Sequence, residues 1–187
     1  MPARARIALA VLVLAACATE ERPPEAAEAN PMCFGSRVLS YQTLVAEVLI
    51  PTGETCEEGS FVVVFTRGPD TLASLTEKRS GIVGFIGTAD VDADGRGEFF
   101  VATDSEGTGS RGELYVYTDA GDGIRRLPLA PLDSAQLVGY KGGDRFGFGG
   151  ANQLVRAFPR EGADTAWFGY SHGEGRWVNI ERPSWLR

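Results

Sequence analysis

Apolar positions in this chain are continuous only near its start, where every residue from Ile7 to Ala16 is apolar. Beyond that run the pattern breaks into short stretches of β-branched and aromatic residues separated by Gly, Pro and Asp, as expected of strands joined by turns. The stretches predict strands over residues 38–50 (bent or split), 61–67, 82–86, 98–103, 113–118, 124–129, 136–140, 153–158, 165–170 and 177–181. Glu113-Leu114-Tyr115-Val116-Tyr117 running into Asp119-Ala120-Gly121-Asp122-Gly123 is the clearest of them, a strand entering a hairpin turn. After residue 30 no segment keeps a helical 3.6-residue period over three turns. With 24 glycines spread along the chain, the expected fold is all-β. It should be an antiparallel sandwich or partly open barrel of about eight to ten short strands.

The initial apolar run has a different meaning. Arg4 and Arg6 precede it and small residues close it, the layout of a secretory signal. At about ten residues it is too short to span a bilayer. Leu14-Ala15-Ala16-Cys17 resembles a bacterial lipoprotein lipobox. That resemblance implies diacylglycerol on the Cys17 sulfur, cleavage before it and acylation of the new amino terminus. Residues 1–16 then read as the signal peptide and 17–31 as the acylated cysteine with its linker. The linker carries Glu20, Glu21, Glu25 and Glu28 with Pro23 and Pro24, and has little to bury. Residues 32–187 are enough for one domain with a substantial core and too few for two. Ala18, where aspartate would resemble an inner-membrane retention signal, points to the periplasmic face of the outer membrane. Contact with the membrane is expected through the lipid anchor alone.

Charge and cysteine count narrow the classes further. The full chain has a formal charge of −7 from 18 basic and 25 acidic residues. Loss of a signal holding two arginines makes the exported form more negative still. An acidic body argues against nucleic acid and against anionic lipid surfaces, and is compatible with a cationic protein partner. With Cys17 lipidated, Cys33 and Cys56 are the remaining pair in an oxidising compartment, which reads as a disulfide. Two thiols without nearby histidines cannot complete a metal coordination sphere.

Two constellations could carry chemistry. The first is Asp90-Val91-Asp92-Ala93-Asp94-Gly95-Arg96-Gly97-Glu98. Asp90, Asp92, Asp94 and Glu98 stand at positions 1, 3, 5 and 9 around a turn glycine, the oxygen ligands a calcium loop needs. It is not an EF-hand, because position 12 is Val101 and no helices flank it. It resembles the Asp-x-Asp-x-Asp-Gly loops of integrin-type propeller blades, which repeat once per blade, whereas this one occurs once. The alternative is an exposed hairpin tip whose aspartates cap their own backbone. The second constellation is Ser105-Glu106-Gly107-Thr108-Gly109-Ser110-Arg111-Gly112. It lacks the Gly-Lys-Ser/Thr ending of a P-loop, and by itself it reads as a flexible turn.

Together, the order of acidic turn, strand 98–103, Gly/Ser loop and aromatic strand 113–118 resembles the periplasmic inhibitors of invertebrate-type lysozyme. Looser similarity extends to Gly143-Asp144-Arg145-Phe146, Leu154-Val155-Arg156-Ala157-Phe158-Pro159 and Gly175-Arg176-Trp177-Val178. In that family a Ser-Gly-x-Tyr loop enters the lysozyme cleft. By position this motif falls on Thr108, Gly109, Ser110 and Arg111, so the hydroxyl is kept and a cation replaces the tyrosine ring. The resemblance implies a lysozyme-binding loop made of Ser105, Gly107, Thr108, Gly109, Ser110, Arg111 and Gly112, with lysozyme as partner and no required cofactor. The other reading is a calcium-binding structural or envelope-interaction lipoprotein without inhibitory activity.

Enzymatic readings are weak. His172, the one histidine, sits in Tyr170-Ser171-His172-Gly173-Glu174-Gly175, a hairpin tip, and no nucleophile elbow accompanies it. The crowded aspartates suit a cation better than proton transfer. Trp167, Phe168, Tyr170, Trp177 and Trp185 read as core or sheet-face residues. The expectation is a binding protein with no catalytic residues.

Overall fold

The structure, a computed structural model, describes residues 28–30, 33–104 and 111–183. The signal, Cys17, most of the linker, Trp185 and residues 105–110 lie outside the described residues. Among the described residues there are twelve strands, no α-helix and one short 3-10 turn, Gly150–Asn152. The strands form three four-stranded antiparallel sheets, each following chain order. The first holds β1 (Ser36–Tyr41), β2 (Leu44–Leu49), β3 (Glu58–Arg67) and β4 (Asp70–Ser80). The second holds β5 (Ile82–Ala89), β6 (Glu98–Asp104), β7 (Leu114–Asp119) and β8 (Ile124–Arg126). The third runs β9 (Arg145–Phe148), β10 (Leu154–Arg160), β11 (Ala163–Ser171) and β12 (Arg176–Asn179). The sheets do not close into a barrel, so the sandwich form of the expectation is the one realised.

The second sheet is central, and its sequence says why. In β6 the first six residues are all buried, so both faces of the strand are covered. Phe99 and Val101 face the first sheet, among Ala46, Val48, Phe61, Val63 and Phe65. Phe100 faces the third, with Leu154, Phe158, Phe168 and Trp177. The same alternation divides β7: Tyr115 and Tyr117 point to the first sheet and Val116 to the third. Rings meet edge-on across both interfaces, Phe65 with Phe99 at 5.4 Å and Phe100 with Phe148 at 5.2 Å between centroids. A bulge at Gly84 places Val83 and Ile86 toward the first sheet and Phe85 toward the third.

The run 38–50 is split, one of the two forms expected of it, turning at Gln42 (φ +52°) between β1 and β2. Three other points need correction. β4 was not expected, because its residues are largely polar. It is an edge strand that gives Ala73 and Leu75 to the core and shows Ser74, Thr76 and Lys78 outward. β9 was hidden among Gly142, Gly143, Gly147, Gly149 and Gly150. Residues 136–139 are turns rather than a strand, and Tyr140 makes an isolated bridge to Arg160. The Gln136 amide N–H donates to Asp133 Oδ1 at 2.8 Å while Gln136 Oε1 accepts from the Asp133 N–H at 3.0 Å, a reciprocal pairing that winds the chain into a helical turn.

The disulfide between Cys33 and Cys56 is formed. It ties the chain entering β1 to the β2–β3 connection, where Ala29 also bridges Pro51. Arg79, 5 % exposed, fixes the same connection. Its guanidinium donates to the carbonyls of Ser60, Cys56 and Gly81 at 2.8–3.0 Å and to that of Thr55.

Candidate functional site

The two sequence constellations sit at opposite ends of β6. Its six peptide steps of about 3.3 Å separate them by roughly 20 Å, so they do not form one site.

At the far end, Asp104 closes β6 and the chain re-enters at Arg111 and Gly112 before β7. The two strand ends are zipped together: the Thr103 N–H donates to the Glu113 carbonyl at 2.9 Å, and the Glu113 N–H to Thr103 Oγ1 at 3.1 Å. Gly112 is buried because the third sheet reaches across to it. Its N–H donates to Asp144 Oδ2 at 2.9 Å. Asp144 is 1 % exposed and takes two further donors, the Tyr140 hydroxyl on the same oxygen and Arg156 Nε on Oδ1 at 2.7 Å. A side chain at position 112 has no room, since a Cβ would lie 2.6 Å from the Thr103 carbonyl oxygen and 2.8 Å from Asp144 Cβ. Arg156 is itself nearly buried and lies over the rings of Phe146 and Phe158. Burial, and then the hydrogen bond to Asp144, hold the Tyr140 phenol above its ordinary pKa.

Arg111 is exposed, with its guanidinium over the Tyr140 ring at 5.9 Å from the centroid. The ring supports the cation and leaves guanidinium edges available for an incoming acceptor. Nearby, burial raises the Asp104 carboxyl, an effect opposed by Arg145 and reinforced by Asp144. Of the loop residues expected to bind, Arg111 and Gly112 are described, whereas Ser105, Gly107, Thr108, Gly109 and Ser110 lie outside the described residues.

At the near end, Asp90, Asp92 and Glu98 bring carboxylate oxygens within 4.8 Å of one another. Asp94, the fourth expected ligand, turns to Arg96 instead: Oδ1 accepts the Arg96 N–H at 2.8 Å and Oδ2 accepts Nε at 2.9 Å. The turn is built by its own carboxylates. Asp90 Oδ1 and Oδ2 accept the N–H groups of Asp94 and Gly95, and Asp92 Oδ1 accepts that of Asp94. This is the backbone capping the sequence allowed for. Glu98 is 1 % exposed and accepts the Val91 N–H at 3.0 Å and the Thr118 hydroxyl at 3.3 Å. Burial, aided by the charges of Asp92 and Asp94 and opposed by those two hydrogen bonds, pushes its carboxyl up to about 7.

The remaining expected residues play structural parts. His172 stands in the β11–β12 turn, half-buried rather than exposed, with its ring edge-on to Tyr170 at 5.5 Å. Trp177 and Phe168 are core residues, and the Trp177 indole donates to the Ala130 carbonyl at 2.9 Å. Sequence reasoning missed Tyr140 and Arg156 as partners of the Gly112 root. The segments Gly143-Asp144-Arg145-Phe146 and Leu154-Val155-Arg156-Ala157-Phe158-Pro159 were the signals nearest to them.

No family model matches the chain, and no curated protein or solved structure matches it.

Proposed function

We propose that this chain is an envelope-tethered, lysozyme-inhibitor-like binding protein that blocks a lysozyme active-site cleft with the β6–β7 connection, residues 105–112. The observation that carries the reading is the root of that connection. An exposed Arg111 rests on the Tyr140 ring, and the adjoining Gly112 is held by a buried carboxylate from another sheet. Lysozymes cleave with paired carboxylates, and an arginine delivered into such a cleft pairs with one of them through charge-assisted hydrogen bonds. The lipid on Cys17 would hold the protein where an exogenous lysozyme arrives, and the protein would need no chemistry of its own. Inhibition assays of the exported protein against invertebrate-, chicken- and goose-type lysozymes test the proposal. Inhibition of at least one type at micromolar protein is expected, and inhibition of none removes it.

The alternative is a calcium-binding structural or envelope-interaction lipoprotein without inhibitory activity. That reading would use the carboxylate oxygens of Asp90, Asp92 and Glu98, which lie within 4.8 Å of one another. Calorimetric titration with calcium tests it, and absence of heat at millimolar calcium excludes it.

A further inference from the structure

We propose that Asp144 is a positioning residue that orients Arg111 from two sides, an inference that rests on the inhibitory reading of the β6–β7 connection. The first side is the backbone. Asp144 Oδ2 accepts the N–H of Gly112, which belongs to the peptide unit leaving Arg111, and this fixes the plane from which the arginine side chain departs. The second is the platform. The same Oδ2 accepts the hydroxyl of Tyr140, whose ring carries the Arg111 guanidinium. Arg156 on Oδ1 keeps the carboxylate from rotating away from either donor. Asp144 lies just ahead of β9 and Gly112 just ahead of β7, so one buried carboxylate couples the root of the connection to a different sheet. The glycine at 112 is part of the device, because a Cβ there would strike Asp144 Cβ and the Thr103 carbonyl. Partners held in one geometry before they meet lose less freedom on binding.

Asp144→Asn tests this with almost no change in shape. Asparagine has one acceptor oxygen, which the Arg156 cation takes, so its NH2 faces Gly112 and Tyr140 and the Gly112 N–H loses its acceptor. The measurements are amide hydrogen exchange at Gly112, exchange of the β3 and β6 core amides, and the inhibition constant for a lysozyme that the wild type inhibits. In the full chain we expect Gly112 exchange to rise about tenfold or more, the factor that goes with losing one charge-assisted hydrogen bond. Core exchange should stay as in the wild type and inhibition should weaken by a similar factor. A purely structural Asp144 would instead raise core and Gly112 exchange together, which overturns the proposal. Unchanged Gly112 exchange in a folded variant overturns it as well. If Asp144→Asn does not fold, Asp144→Glu, which keeps a negative charge for Arg156 but moves the carboxylate one methylene away from the position that serves Gly112, is read at the same amide by the same criteria. The exchange measurement needs no lysozyme. A wild type that inhibits nothing therefore sinks the functional reading alone, while an indifferent Gly112 sinks the positioning role alone.

Discussion

The Tyr41 ring occupies the space that Gly97 leaves empty: a Cβ at position 97 would lie 2.3 Å from Tyr41 Cγ. This contact joins the β1–β2 turn of the first sheet to the acidic turn of the central one. It is reinforced by Gln42 Nε2 donating to the Gly95 carbonyl at 2.9 Å. Burial, followed by the charge of Asp90, holds the Tyr41 phenol above its usual pKa.

Gly97→Ala should therefore destabilise the domain by about 2 kcal/mol, the usual scale of overpacking. Denaturant unfolding measures it. A cost equal to that of Gly173→Ala, where a Cβ meets nothing within 4 Å, would mean that the contact yields freely.

Arg79 is a second fixed point. Replacing it by Met keeps much of its bulk but strips donors from four carbonyls around the disulfide. The expected loss is about 3 kcal/mol, seen as a lower unfolding midpoint with an unchanged denaturant slope. A loss below about 0.5 kcal/mol, the size of an ordinary surface change, would show that water serves those carbonyls as well.

Reduction of Cys33–Cys56 releases a loop with a sequence separation of 23. In the chain-entropy view that costs about 3 kcal/mol. Cys33→Ala/Cys56→Ala and the reduced wild type should unfold at the same denaturant concentration, both below the oxidised protein. Mass analysis after alkylation without reductant should find neither cysteine labelled.

The legibility of the sequence followed its apolar content. Strands that bury both faces, such as β6 and β7, announce themselves by β-branched and aromatic runs. β4 does not, because an exposed edge strand needs only Ala73 and Leu75 on one face and keeps charge elsewhere. Residues 136–140 misled through Leu137, Val138 and Tyr140, whose β character lost to the local Asp133–Gln136 exchange. At the acidic turn the spacing correctly brought Asp90, Asp92 and Glu98 together. It could not foresee that Asp94 would go to Arg96, because a local ion pair and a shared centre use the same spacing. The Asp144 hub was illegible for another reason: its members come from chain positions 112, 140, 144 and 156, and only the packing of two sheets brings them together.

Glu98 gives the fold a pH dependence with a definite sign. Its carboxyl rises from 4.5 to about 7 on folding, so the native state holds this proton more tightly than the unfolded chain. The stability it contributes is complete below about pH 4.5 and is lost as pH climbs through 7. Glu98→Gln should remove that loss and make the domain about 2 kcal/mol more stable than wild type at pH 8, with little difference near pH 4. If calcium occupies the acidic turn, millimolar calcium at pH 8 should raise the wild-type melting temperature and leave that of Glu98→Gln unmoved. Parallel pH–stability curves for the two proteins would mean that Glu98 is ionised at little cost.

Arg111 decides between a binding loop and a plain turn. In a lysozyme cleft the guanidinium loses its hydration and must meet a carboxylate, because a buried cation without a partner is costly. Arg111→Ala then removes a charge-assisted contact and should weaken inhibition by about 2 kcal/mol, some thirtyfold. The exposed position of Arg111 should keep the change in folding stability within about 0.5 kcal/mol. Arg111→Tyr gives up the cation and supplies the aromatic side chain that the proposed inhibitory reading would place there, so on that reading it should recover inhibition of invertebrate-type lysozyme more than of the other types. Inhibition constants for the three proteins, measured at low and high salt, carry the answer. A wild-type advantage that shrinks with salt identifies the ion pair, and three equal constants would take Arg111 out of the mechanism.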